Sequence, residues 1–286
     1  MAFSTARQAW CASALAFVGA AGCGLNTAVL QTGGNGRQGV LLNYSCGAEP
    51  DDPIDPRKPT VVFTHGWNPL PEKIRTTFGP ASAAALRQRC GDRFNLLSWD
   101  WNGVRIATPL RNEPYRVGCA QGRRMAAALR ERGVAPGRTH IVAHSLGSVV
   151  AAEATRILAE EQGPVRQLTL LDPPTVLHDE IFGELAPQRH ALEVENYWSP
   201  GASGFGAEVD CPGVANYCVR GGTPWRGAVD LSLSNHVHVM RWYYDTIRCP
   251  RLRGGFQRSA VLRAPGGLEF EPPRPLVASA GATRAR

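Results

Sequence analysis

The chain has 286 residues, 43% of them hydrophobic and 19% charged, enough to bury a large core in one α/β domain. That apolar content, with 7 Trp, excludes a disordered chain, and the lack of an 18-residue apolar run excludes a polytopic membrane protein. The net charge of +7 is carried by scattered Arg, since Lys58 and Lys73 are the only lysines. No nucleic-acid motif accompanies the charge, so no nucleic-acid partner is expected.

Residues 1–22 place Arg7 before an apolar run from Ala9 to Ala21, ending in Ala20-Ala21-Gly22-Cys23. A short positive region, an apolar core and small residues at its end read as an export signal. The ending also resembles the lipobox of bacterial lipoproteins, with Ala20 where Leu is usual. By that resemblance Cys23 would be the lipidated membrane anchor, and the expected location is the bacterial cell envelope or the medium. Residues 23–37, rich in Gly, Asn and Thr, read as a flexible linker. Six cysteines follow Cys23, an even number that permits disulfides in an exported chain, and Cys211 and Cys218 are near enough in sequence to close a small loop. None shows zinc-ligand spacing with a His, so no metal is expected.

From residue 38 to 263 the chain reads as one catalytic domain. Short apolar, often β-branched runs at 39–44, 60–64, 94–99, 139–143, 167–171 and 192–197 predict strands buried on both faces. Helical segments at 80–89, 116–132 and 145–162 alternate with them, the last two stopped by Gly133 and by Gly163-Pro164. This alternation predicts a mostly parallel sheet with helices on both faces. Residues 199–230, rich in Gly and Pro, read as a binding loop or lid, and 264–286 as a mobile tail.

The chemistry centres on Ala143-His144-Ser145-Leu146-Gly147, between a predicted strand and a predicted helix. This is the setting of a nucleophile elbow, in which small residues let a tight turn lift the Ser hydroxyl clear of the sheet. A hydroxyl needs a base, and the base an orienting acid. On such a sheet the expected chain order is Ser, acid, His. Asp172 ends the next predicted strand, on the edge that carries Ser145. His236 and His238 are the candidate bases. The buried strand running into His65-Gly66-Trp67 supplies the remaining element, a turn whose amide can face an oxyanion. The backbone N–H groups of Trp67 and Leu146 are the expected donors. Asp100 reads as structural, and His144 as a packing residue near the sheet edge.

The order of these motifs resembles the pancreatic-lipase-like branch of the α/β-hydrolases, in a compact bacterial version. Matching segments are His65-Gly66-Trp67, Trp99-Asp100-Trp101-Asn102-Gly103, Arg116-Val117-Gly118, residues 143–147, Leu171-Asp172-Pro173, and His236 through Tyr243-Tyr244-Asp245-Thr246-Ile247. Ala143 stands where the family has Gly, and Ser234-Asn235 rather than a Cys precede His236. The likeness to bacterial relatives favours His236 over His238. It implies an α/β-hydrolase fold and an exported serine esterase acting on carboxylic esters, above all lipid esters, through Ser145, Asp172 and His236. No cofactor is implied, and a monomer is expected. An amidase, phospholipase or polyester hydrolase would use the same triad. A non-catalytic surface lipoprotein would use the fold for binding alone.

Overall fold

The computed structural model describes residues 28–31, 39–45, 54–66, 78–101, 113–175, 179–200, 206–220 and 234–263. Eight strands form one sheet: β1 (Ala28–Gln31), β2 (Val40–Asn43), β3 (Thr60–Thr64), β4 (Asn95–Asp100), β5 (Thr139–His144), β6 (Gln167–Leu171), β7 (Val194–Trp198) and β8 (Val214–Cys218). Five α-helices accompany them: α1 (Phe78–Cys90), α2 (Glu113–Glu131), α3 (Gly147–Gln162), α4 (Asp179–Leu185) and α5 (Ser234–Arg248). The spatial order is β1-β2-β4-β3-β5-β6-β7-β8, antiparallel across β1, β2 and β4 and parallel from β4 to β8.

The two-sided sheet follows from the side-chain period of a strand. On β3, Val62 joins Leu97, Ile141 and Leu168 in a core completed by Met125 and Leu129 of α2, Val149 and Val150 of α3, and Phe182 of α4. Its neighbours Val61 and Phe63 face the other way, into a core with Leu86 of α1 and Val239 and Tyr243 of α5. Each of these fully buried side chains contributes roughly 1.5–3 kcal/mol. A strand that must fill both cores has no polar alternation, which is why β3 carries Val61-Val62-Phe63 and β5 carries Ile141-Val142-Ala143 as unbroken apolar runs. The expected helix stops are found: Gly133 and Gly163 have φ of 71° and 104°, a region open to Gly without strain.

Several elements differ from the sequence reading. Part of the expected linker, Ala28–Gln31, pairs antiparallel with β2 as the edge strand β1. Within the expected loop 199–230, Val214–Cys218 forms β8, parallel to β7. Its side chains are half-buried or exposed, as on an edge, so it lacks the apolar signal of the inner strands. The short helix α4 was not expected. The helix after Ser145 starts at Gly147, because Ser145 itself occupies the turn.

The expectation of disulfides is corrected among the described residues: Cys90, Cys119, Cys211, Cys218 and Cys249 are all free thiols. Cys218 ends β8, and Cys211 precedes its first residue by a turn closed by the Val214 N–H on the Cys211 carbonyl. The Cys211 Sγ is buried and donates to the Phe182 carbonyl at 3.4 Å, whereas Cys218 is exposed at the end of β8. Cys11, Cys23 and Cys46, the signal segment and the tail 264–286 lie outside the described residues.

The strand order places the site. From β3 the chain goes to β4 on one side, then crosses back to β5 on the other. Such a reversal opens a crevice at the carboxyl ends of the two strands. His65 and Gly66 leave β3 there, and Ser145 leaves β5.

Candidate active site

Ser145 follows the last residue of β5 with φ 56°, one of three non-glycine residues with positive φ among those described. That left-handed conformation costs on the order of 1–3 kcal/mol and persists only where surrounding contacts enforce it. Here the Ser145 N–H donates to the Leu171 carbonyl at 2.9 Å, and the Ser145 carbonyl accepts from the Ser148 N–H at 2.9 Å. The turn also needs room. A Cβ on Gly147 would lie 2.4 Å from the His65 carbonyl oxygen, and one on Gly66 would lie 2.5 Å from the Ser145 Cβ. The two turns leaving β3 and β5 therefore interlock through glycine. Ala143, by contrast, sits within β5 and packs in the core, where a methyl is accommodated. Leu146 stands at the amino end of the 16-residue α3, where unpaired amides concentrate partial positive charge.

Asp172 repeats the pattern one strand further on. It follows β6, has φ 50° and is fully buried. Its N–H donates to the Tyr197 carbonyl at 2.7 Å. Its Oδ1 accepts from the Ser199 N–H at 3.1 Å, and its Oδ2 lies 2.7 Å from His236 Nδ1. The carboxylate accepts, so Nδ1 carries the proton and Nε2 is left as the acceptor of a neutral ring. Burial raises the Asp172 carboxyl, against the opposing pull of the Ser199 N–H, and burial lowers the His236 imidazole.

His236 lies in the first turn of α5, not ahead of the helix. Asn235 Nδ2 donates to the Pro200 carbonyl at 2.9 Å, which ties this turn to the segment after β7. The His144 ring packs against that of His236 with centroids 4.5 Å apart, and its Nε2 is 3.3 Å from the His236 carbonyl oxygen. Burial, then the neighbouring His236, pushes the His144 imidazole down to about 3. It therefore places no positive charge beside His236.

Of the two candidate bases, the structure brings His236 to Asp172. His238 is two residues along α5, its Nε2 buried without a partner among the described residues. Trp67 lies outside the described residues. No group of three metal-ligating side chains occurs among the described residues, and no described helix is long and apolar enough to cross a membrane. His144 packs near the sheet edge as expected, and two contacts were not foreseen in the sequence: the Ser199 amide on Asp172 and a His65–Asp100 contact at 2.8 Å. His65 and Asp100 are far apart in the chain, and the Ser199 amide depends on where the chain runs after β7.

No family model matches the chain. It is similar to pancreatic triacylglycerol lipase from Myocastor coypus, 29% identical over 192 residues that cover 58% of this chain and 41% of the lipase. The chain thus spans about two fifths of that relative's length. Among solved structures, an esterase from Pyrobaculum calidifontis is 16% identical, covering 73% of this chain and 80% of that one, with a TM-score of 0.41. Esterase 2 from Thermogutta terrifontis, phosphorylated by paraoxon, is 13% identical, covering 76% and 91%, with a TM-score of 0.41. A sugar hydrolase from Lactococcus lactis is 12% identical, covering 78% and 97%, with a TM-score of 0.42. A strained strand-to-helix elbow on one parallel strand and an acid on the next are how an α/β-hydrolase is built, and that is the fold of this chain, with its sequence likeness on the lipase side.

Proposed function

We propose that the chain is a serine hydrolase of carboxylic esters, with Ser145 as nucleophile, His236 as general base and Asp172 as the orienting acid. The observation that carries this reading is the 2.7 Å contact between His236 Nδ1 and Asp172 Oδ2, on a ring packed against the residue preceding Ser145. It leaves Nε2 free of the proton, the state a base must be in before it acts.

In acylation the Ser145 Oγ bonds to the ester carbonyl carbon and its proton passes to His236 Nε2. The carbonyl oxygen becomes an oxyanion, received by the Leu146 and Trp67 amides. Each such donor is worth roughly 10²–10³ in rate. The tetrahedral centre collapses, the bond to the alkoxy oxygen breaks, and the alcohol leaves with the proton from His236. Water then adds to the acyl-enzyme and gives its proton to His236, which passes it to Ser145 Oγ as the bond to the acyl carbon breaks and the acid departs. The likeness to a triacylglycerol lipase supports lipid esters as the substrate class. Export, with anchoring through a lipidated Cys23, belongs to the same reading. An intact-mass measurement on envelope protein would detect the acylated mature chain.

Nitrophenyl esters of graded chain length, turned over by the full chain beside Ser145→Ala, test the activity. The expected result is hydrolysis that the substitution abolishes. Ser145-independent rates from folded protein, with no labelling of Ser145 by a fluorophosphonate, would sink the reading and leave a binding role.

A further inference from the structure

We propose that His144 is a positioning residue that holds the His236 ring in register with Ser145. The proposal rests on the ester-hydrolase reading above. Side chains alternate along a strand, so on β5 Ala143 faces one core and Val142 the other. His144 ends β5 on the same face as Val142, the face that α5 covers. On α5, His236, Val239 and Tyr243 follow helical spacing, and Val239 and Tyr243 pack in that same core. The two patterns bring the last residue of the strand to the first turn of the helix. His144 is 8% exposed there and His236 5%.

Two contacts join them. The rings lie with centroids 4.5 Å apart at 33°, and His144 Nε2 is 3.3 Å from the His236 carbonyl oxygen. A carbonyl oxygen only accepts, so His144 carries its proton on Nε2 and donates it. The two lone pairs of that carbonyl let it serve this donor and its own helix together. The bond ties the backbone of the base to the residue next to the nucleophile, while the ring lies against the side chain of the base.

Asp172 by itself leaves the base underdetermined. Its Oδ2 holds one corner of the His236 ring, at Nδ1, and a ring held at one corner can still tilt about it. A neighbour packed on the ring resists that tilt. Ser145 Oγ and His236 Nε2 must come within roughly 2.6–3.2 Å for the proton to pass, so a small tilt is costly. His144 also covers the base, and burial is what holds His236 below the ordinary imidazole value. The titratable groups facing His144 are His236, Asp172 and, from the turn after β3, His65. Its own imidazole is pushed down to about 3, so it covers the base without repelling the imidazolium that forms in the reaction.

The test compares three variants of the full chain by ester turnover and melting curves. His144→Gln keeps an amide N–H near the Nε2 position and loses the ring. His144→Phe keeps a ring and loses the donor. His144→Ala loses both. The expected kcat is lower by about 10–100-fold in His144→Ala, with KM within about twofold, as misplacement of a reacting group predicts. His144→Gln retains more kcat than His144→Phe, although Phe is the better apolar filler and the more stable variant; simple core packing predicts that Phe leads in both. The acid limb of kcat/KM moves to higher pH in His144→Ala, where water reaches His236, and stays in place in His144→Phe. The order of the Gln and Phe variants decides the matter if His144→Ala fails to fold. An active wild type with kcat or acid limb unchanged in folded His144→Ala, or with His144→Phe equal to or better than His144→Gln in kcat, overturns this inference alone. A wild type that neither turns over esters nor takes a fluorophosphonate overturns the ester-hydrolase reading, and this inference with it.

Discussion

The two ends of the parallel sheet each bury a histidine and a carboxylate, and they differ in one respect. At the amino ends of β5, β6 and β7, His140 is held by the Ser259 hydroxyl at 2.7 Å and the Thr169 hydroxyl at 2.8 Å. Nearby, Glu195 accepts from Gln167 Nε2 at 3.1 Å, the Tyr197 hydroxyl at 3.2 Å and Arg258 Nε at 3.0 Å. Every one of these residues has ordinary backbone geometry. At the carboxyl ends, Ser145 and Asp172 both sit at positive φ, on the first residue after their strands. A buried polar cluster in relaxed backbone holds elements together. One mounted on strained backbone is held for a geometry that the sheet alone does not provide. Burial pushes His140 down to about 3, and both of its nitrogens are occupied by hydroxyls. His236 has the Asp172 carboxylate on Nδ1 at 2.7 Å.

The contrast breaks down if the two ends respond alike to substitution. Ser145→Ala carries the largest expected effect, a loss of about 10⁶ in kcat with folding intact, read by ester turnover beside a melting curve. Asp172→Asn follows, at about 10⁴, because the ring loses its orienting acceptor and takes the wrong tautomer. At the opposite end Glu195→Ala is expected to cost about 2–3 kcal/mol in denaturant unfolding, since Gln167 and Tyr197 lose their acceptor inside the protein. The kcat of the folded fraction stays at the wild-type value. A fall in kcat without a fall in stability would erase the distinction between the two ends.

The pH profile sharpens the comparison further. Burial lowers His236, so the neutral base survives as pH falls past the ordinary imidazole value. The acid limb of kcat/KM is therefore expected below pH 6.5, and a limb at or above that value contradicts it. The smallest effect belongs to Ala143→Gly. It restores the residue usual at this place in the family, yet lies in β5 and loses a packed methyl. A stability loss of about 0.5–1 kcal/mol with unchanged kcat is expected from calorimetry and turnover.

What the sequence disclosed depended on how local the cause was. The inner strands were legible because burial on both faces leaves an unbroken apolar run, as at Val61-Val62-Phe63. Ser145 and Asp172 were legible because each sits at the junction of a strand signal and a turn signal. The partnership of His236 with Asp172 needed chain order, and its choice over His238 needed a resemblance. Two residues apart on a helix, the two rings point about 160° apart, and only tertiary packing says which faces the sheet. The edge strands β1 and β8 escaped because an edge needs no apolar alternation. The free Cys211 and Cys218 show the same limit. Closeness in sequence suggested a bridge, but one thiol is buried and the other exposed at the end of β8.

The backbone bonds that follow the strands have a consequence for how such a site diversifies. Ser145 N–H on the Leu171 carbonyl and Asp172 N–H on the Tyr197 carbonyl extend the sheet's ladder one rung beyond each strand. Ser145 and Asp172 are therefore spaced by the pitch of neighbouring strands, about 4.8 Å, and not by the length of any connection. Helices and loops between them can lengthen, shorten or be replaced without changing that spacing. Substrate range can then drift through the connections while the chemical step keeps its geometry.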